Sequence, residues 1–202
     1  NMFIHGAEKT GLIIQMGYWA LEQACKQIQI WENANQNQFF PLAVNLSAIQ
    51  FEHKHLFSIL ENLFSRYEIK NDRLMIEITE STAMHHIDSS LRSFLRLRQM
   101  GIKLAIDDFG TGHSSFLYLK QLPVDELKID RAFIKDLEQN SKDELILESI
   151  VKLATNLGLT VTVEGVETEF QKEVLKRLGC HQLQGFLLGK PMPVEELEKR
   201  HC

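Results

Sequence analysis

Cysteine is scarce in this chain and follows no pattern: Cys25, Cys180 and Cys202 are odd in number and irregularly spaced. Neither a disulfide framework nor a zinc knuckle can be built from them, so the thiols are expected to stay reduced in a cytoplasmic compartment. None of them reads as catalytic. Long apolar runs are also missing. No stretch approaches the roughly 18 residues of a membrane span, and the first residues lack the basic-then-apolar pattern of a secretory leader. A soluble domain is expected, with any membrane tether supplied elsewhere in the full-length protein. Excess positive charge is the third absence. With 22 Lys and Arg against 27 Asp and Glu, the net charge of −5 leaves no basic face for duplex nucleic acid. A small anionic ligand held by a few local cations and a metal is still compatible. The opening Asn1-Met-Phe-Ile-His-Gly-Ala-Glu8 is neither an initiator methionine nor a polar tail, and it reads as the interior of a longer polypeptide.

What is present is an ordinary globular mixture. In 202 residues, 44% are hydrophobic and 24% charged, enough for one domain, residues 1–202, with a sizeable core. Strand-like runs occur at Leu42 to Leu46, Leu74 to Thr79, Leu104 to Ile106, Leu127 to Ile129, Thr160 to Val163 and Leu183 to Leu188. Helical periodicity marks Gly17 to Trp31, Phe51 to Tyr67, Ile87 to Met100, Glu144 to Leu157 and Glu167 to Leu178, with Gly101, Gly158 and Gly179 placed to end helices. The stripe Leu91, Leu95, Leu97 reads as core packing. Strands alternating with helices imply an α/β fold with a parallel sheet, and pattern alone allows either an open doubly wound sheet or a barrel.

Polar residues separate these possibilities. Asn45, Glu77 with Glu80, Asp107 with Asp108, Lys128 with Asp130, Glu164 and Gln184 each lie at the C-terminal part of a different apolar run. An open sheet concentrates its ligand groups at one switch point, whereas a barrel collects a contribution from every strand at its C-terminal mouth. The barrel is favoured. Asp107 and Asp108 end an apolar run and enter a glycine-broken loop, and adjacent like charges invite a cation. Taken alone, Asp107 could simply cap a turn while Asp108 is solvated. The companion residues favour a metal, and the hard oxygen donors suit Mg²⁺ or Mn²⁺ in a two-metal site. Lys128, two residues before Asp130 on a short strand, is expected inside. Strand alternation sends Glu80 into the following loop, which favours an anchoring role over service as a further ligand. His85, His86 and His113 are read as solvated.

The segments Val44-Asn-Leu-Ser47, Ile76-Glu-Ile-Thr-Glu-Ser81, Asp107-Asp-Phe-Gly-Thr-Gly112, Leu127-Lys-Ile-Asp-Arg131, Val163-Glu-Gly-Val-Glu167 and Gln184-Gly-Phe186 resemble, in order and spacing, the EAL family of bacterial cyclic diguanylate phosphodiesterases. The resemblance runs from about Phe3 to near Leu197. It implies a TIM-like (β/α)8 barrel of which this chain holds six strand units. The first two units, with the Glu-Ala-Leu signature glutamate and a nucleotide-binding arginine, are not in it. His5 stands where the family usually has proline.

By resemblance, Asn45, Glu77, Asp107, Asp108 and Glu164 are metal ligands. Lys128 holds the attacking water and neutralises the phosphoryl charge, while Glu164 serves as ligand or base. Glu80 supports catalysis by holding the Asp-Asp-Phe-Gly-Thr-Gly loop, in which Gly110 and Gly112 give hinge freedom and Ser114 and Ser115 cap the next helix. Gln184 and Asp108 contact the substrate. The implied activity is metal-dependent hydrolysis of cyclic diguanylate to its linear form in a homodimer fused to a sensory or regulatory domain, with the present residues inactive by themselves. The alternative is a module of the same fold that binds nucleotide or protein without turnover.

Overall fold

The run Leu74 to Thr79 forms β2, and its first five residues are all buried, as expected of a strand covered on both faces. The computed structural model describes residues 2–36, 41–111, 116–137 and 142–201. In it β1 (Leu42–Asn45) and β3 (Lys103–Phe109) both pair with β2 in parallel, with Asn45 opposite Glu77 and Thr79 opposite Asp107. The chain divides into residues 1–127 and 128–202, and the division falls inside β4 (Glu126–Ile129).

In the first unit the order β1, β2, β3 continues toward β4, since Asp125 donates its N–H to the Leu104 carbonyl. In the second, the Glu164 N–H reaches the carbonyl of Ile129 at the end of β4, and β5 (Thr160–Val163) pairs in parallel with β6 (Gln182–Leu183). Strand order thus follows chain order within each unit. A doubly wound sheet reverses its order at a switch point, and a barrel does not.

Helices α1 (Met2–Thr10) and α2 (Leu12–Asn33) open the first unit. Starting after Gly11, which has φ 72°, α2 is longer than the predicted Gly17 to Trp31. It buries Leu21, Cys25, Ile28 and Trp31, one helical face. The predicted helix Phe51 to Tyr67 is two: α3 (Ala48–Phe51) and α4 (Leu56–Tyr67). Gln50 Oε1 accepts from Ser47 N at 2.7 Å and starts α3 early, and His53, hydrogen-bonded to the Tyr18 hydroxyl at 2.5 Å, holds the intervening turn against α2.

After β2 come α5 (Glu80–His85) and α6 (Ile87–Gln99), and after β3 comes α7 (Phe116–Leu119). The expected stripe Leu91, Leu95, Leu97 is not the packing face of α6. Ser90, Phe94 and Leu97 are buried and Leu95 is 45% exposed, because positions two apart lie on opposite sides of a helix. Gly101, Gly158 and Gly179 all end helices with positive φ.

The second unit carries α8 (Lys142–Asn156), α9 (Glu169–Arg177) and α10 (Val194–His201). Helix α8 buries Leu147, Ile150, Val151 and Ala154, while α9 buries Val174 and Leu175. Arg177 joins α9 to Glu144 of α8 at 2.5 Å. The predicted strand Leu183 to Leu188 is too long. Pairing stops at Leu183, and the carbonyl of Gly185 accepts from the N–H groups of Leu188 and Gly189, which turns the chain. Among the described residues no helix is long and apolar enough to cross a membrane.

Candidate active site

The expected site residues form one set in each unit, at the C-terminal ends of strands. In the first unit, parallel register and the period-two alternation of strands put Asn45, Glu77 and Asp107 on one face. Asn45 Nδ2 donates to Glu77 Oε2 at 2.9 Å. Glu77 and Asp107 are both buried, so two carboxylates lie on paired strands within the interior. The region is costly for anionic charge unless something cationic compensates it.

The strand does not end before the acid pair, as the sequence suggested. It runs through Asp107 and Asp108 to Phe109, and Asp108 sits at φ 54°. A left-handed residue interrupts strand alternation, and aspartate tolerates that region better than a branched or bulky side chain does. Oxygen donors on β1, β2 and β3 are a set suited to a hard divalent cation; an imidazole or thiolate set would select softer metals.

Glu80 is the first residue of α5 and is almost fully buried. Its Oε2 accepts from the Gly110 N–H at 2.8 Å, tying the end of β2 to the turn after Phe109. Gly110 has φ 95°, a conformation few other residues adopt. Gly112, His113, Ser114 and Ser115 lie outside the described residues. His85 and His86 stack edge to face with ring centroids 4.3 Å apart, and both are exposed, as expected.

In the second unit, Lys128 Nζ meets Glu164 Oε1 at 2.7 Å. The lysine side chain is 5% exposed and the glutamate 19%. A buried lysine held this closely by a carboxylate is fixed in direction. Asp130, grouped with Lys128 in sequence, does something else: its Oδ1 accepts from Ala132 N at 2.8 Å and caps the short turn Arg131–Phe133. Gln184 follows β6 directly, is exposed, and has its backbone held by Val163 and Val166. Gly185 next to it admits no side chain, since a Cβ there would lie 2.1 Å from the Val166 carbonyl oxygen.

Three residues near these positions were not foreseen. Glu126 is buried in β4, and its only sequence signal is an acid between the apolar Val124 and Leu127. Arg131 and Phe186 line a cavity of about 290 Å³ together with Glu164 and Gln184. Both belong to the segments that carry the family resemblance, and their types, a cation and an aromatic, were the available signal.

The family model described as EAL domain matches residues 1–191. The chain belongs to the EAL domain family. Among curated proteins it is 51% identical over 197 residues to the bifunctional diguanylate cyclase/cyclic di-GMP phosphodiesterase MucR of Pseudomonas aeruginosa, covering 98% of this chain and 29% of MucR. It is 36% identical to the cyclic di-GMP phosphodiesterase NbdA of the same organism, covering 98% of this chain and 25% of NbdA. The chain therefore spans between a quarter and a third of the length of these relatives.

A solved structure of the MucR phosphodiesterase in complex with c-di-GMP superposes with a TM-score of 0.92 at 50% identity, over 97% of this chain and 79% of that one. The EAL enzyme Bd1971 in its cAMP-bound form gives 0.91 at 31% identity, over 100% of this chain and 56% of that one. The EAL domain is a member of the c-di-GMP signalling families, and its fold is the (β/α)8 barrel, of which the chain contributes six strands.

Proposed function

We propose that the protein containing this chain hydrolyses cyclic diguanylate to linear diguanylate in a reaction that needs Mg²⁺ or Mn²⁺. The observation that carries the reading is the Lys128–Glu164 pair: a buried ammonium held at 2.7 Å by a carboxylate, both at the C-terminal ends of their strands, where barrel enzymes keep their chemistry. Family membership supplies the substrate class.

Asn45, Glu77, Asp107 and Asp108 would hold the metal, and Glu164 is a further ligand. When bound, the ions lower the pKa of a water and offset charge on the phosphoryl oxygens. The chain's own residues orient and neutralise. Lys128 donates toward the water and the phosphoryl oxygens as the water oxygen–phosphorus bond forms and the phosphorus–O3′ bond breaks, the proton lost by the water ending on the O3′ leaving oxygen, and Glu164 fixes the direction of that ammonium. Glu80 keeps the turn after β3 in place, and Gln184 with Asp108 contacts the nucleotide. The 202 residues by themselves are expected to be inactive, because the signature glutamate and arginine of the family are not among them.

The test is chromatography of cyclic diguanylate incubated with the full-length protein and Mg²⁺ or Mn²⁺. Accumulation of the linear dinucleotide, stopped by a chelator, is the expected result. Binding of the nucleotide with no linear product under any divalent ion would sink the enzyme and leave a binding module.

A further inference from the structure

Helix α2 carries a second apolar stripe, on the side turned away from the core. Its buried face holds Leu21, Ala24, Cys25 and Ile28. Leu12, Trp19 and Ile30 are instead 45%, 65% and 55% exposed. At 3.6 residues per turn, Leu12 and Ile30 fall on one line after five turns, Trp19 lies about 20° from it, and Leu21 and Ile28 lie on the opposite side. Single exposed apolar residues need no explanation. Three of them aligned along the outer line of one helix follow the spacing of a seam between two helices.

Helix α4 widens this face. A groove of about 450 Å³ between the two helices is lined by Gln15, Tyr18 and Trp19 of α2 and by Ile59, Asn62 and Leu63 of α4. At its edge Arg66 meets Glu22 at 3.0 Å, and the Tyr67 hydroxyl donates to the same carboxylate. The charges there cancel. Among the described residues Lys26 is the one charge on the stripe itself. An anionic lipid surface or an acidic partner selects for a cluster of cations, and a basic partner for a cluster of acids, neither of which this face offers.

A second copy of the same face fits it. In an antiparallel pair with its two-fold axis beside Leu21, Leu12 of each copy lies over Ile30 of the other. Trp19, about 3 Å along the helix from that axis, comes beside Trp19 of the second copy, where the rings can pack on each other. The two Lys26 ammonium groups are kept about 15 Å apart along the helices, so no like charges meet. With 22 residues in α2 and 12 in α4, the helices are about 33 and 18 Å long. At a width of about 10 Å each, they cover about 500 Å² per copy and about 1,000 Å² in total, the size at which a specific contact begins.

We propose that the outer face of α2 and α4 is a contact between two copies of this protein, formed by antiparallel α2 helices around Trp19. It is independent of the proposed hydrolysis, since none of its residues belongs to the oxygen set or to the Lys128–Glu164 pair.

The test is photocrosslinking of the full-length protein with a benzophenone amino acid in place of Gln23, which faces Trp19 of the second copy. Light and ¹⁵N-labelled protein are mixed, and adduct peptides are mapped by mass spectrometry. Adducts joining position 23 of a light copy to residues 16–23 of a heavy copy are the expected result. In the same background Trp19→Glu should lower their yield at least about 10-fold, and Leu95→Glu, at an exposed apolar position on α6, should leave it unchanged. Thermal melts confirm that each variant folds. Adducts only to another protein, to another segment or to the same copy would overturn the proposal, as would no adduct at all. So would an undiminished yield in Trp19→Glu, or an equal loss in Leu95→Glu.

Discussion

Removing the Glu80 carboxylate is the sharpest single perturbation that the geometry offers. Glu80 is 2% exposed and its Oε2 accepts from the Gly110 N–H at 2.8 Å. A hydrogen bond to a charged group contributes about 1.5–3 kcal/mol, so Glu80→Ala releases about that much local restraint on the turn after β3. Asp108 and Gly110 are both left-handed, at φ 54° and 95°, and such a segment holds its shape only when its surroundings impose it. Global stability should change less than the lost bond implies, because the variant also removes the cost of burying a carboxylate.

Groups that orient metal ligands from behind cost about 10- to 100-fold in metal affinity or activity when removed. Glu80→Ala is therefore expected to raise the Mn²⁺ concentration for half-maximal hydrolysis by that range and to lower kcat. Glu80→Gln keeps an acceptor oxygen and should lose less. The assay is initial rate against Mn²⁺ concentration for the three proteins, with a thermal melt of each as control. Normal kcat and an unmoved Mn²⁺ midpoint in Glu80→Ala would refute the anchoring role. A collapse of the melt matched by the activity loss would make Glu80 a stability residue instead.

Chelation should abolish hydrolysis and Mg²⁺ or Mn²⁺ should restore it, while Ca²⁺, larger and less strict in coordination, should inhibit; turnover that survives chelation contradicts the metal reading. Lys128→Met leaves Glu164 without its 2.7 Å partner and should lower kcat at least about 100-fold with a smaller change in KM, as single-turnover kinetics would read. Gly185→Ala puts a Cβ 2.1 Å from the Val166 carbonyl and should cost about 1–3 kcal/mol, visible as a melting temperature lower by several degrees. Burial pushes the Cys25 thiol up to about 12 and the Cys180 thiol up to about 11, so at pH 8 their thiolate fractions are on the order of 10⁻⁴ and 10⁻³. Neither should alkylate in the folded protein, and both should in urea, as peptide mass spectrometry would show; rapid labelling of native Cys25 would contradict its burial.

The strands were legible because five of the six are runs whose apolar content and bounding residues leave little choice. The sixth failed at its C-terminal half because Phe186, Leu187 and Leu188 are apolar for a different reason: they belong to a turn beside a cavity, with Phe186 and Leu188 largely exposed. Helix existence was legible and helix continuity was not, since the break between α3 and α4 depends on His53 reaching Tyr18, a partner 35 residues away. The end of β3 was misjudged because an acid pair reads as a loop, whereas the local conformation of Asp108 lets the strand carry it. Residue types announced the polar positions, but not which of them would be tied together. Asp130 shows the difference: sequence grouped it with Lys128, and its carboxylate caps a turn.

The two sets of polar residues handle charge in opposite ways, which bears on how a phosphodiester would be treated. In the first unit, Glu77, Glu80 and Asp107 are all buried, and Glu80 accepts from the neutral backbone N–H of Gly110. Collecting carboxylates in an interior is expensive, and a divalent cation bound there would lower that expense and so stabilise the fold as well as serve the site. In the second unit the buried cation has its counter-charge already in place, 2.7 Å away. That pair is organised before any ligand arrives. An anionic phosphodiester entering beside Lys128 meets an ammonium whose direction is set, which is the form of electrostatic assistance that costs no reorganisation during the reaction.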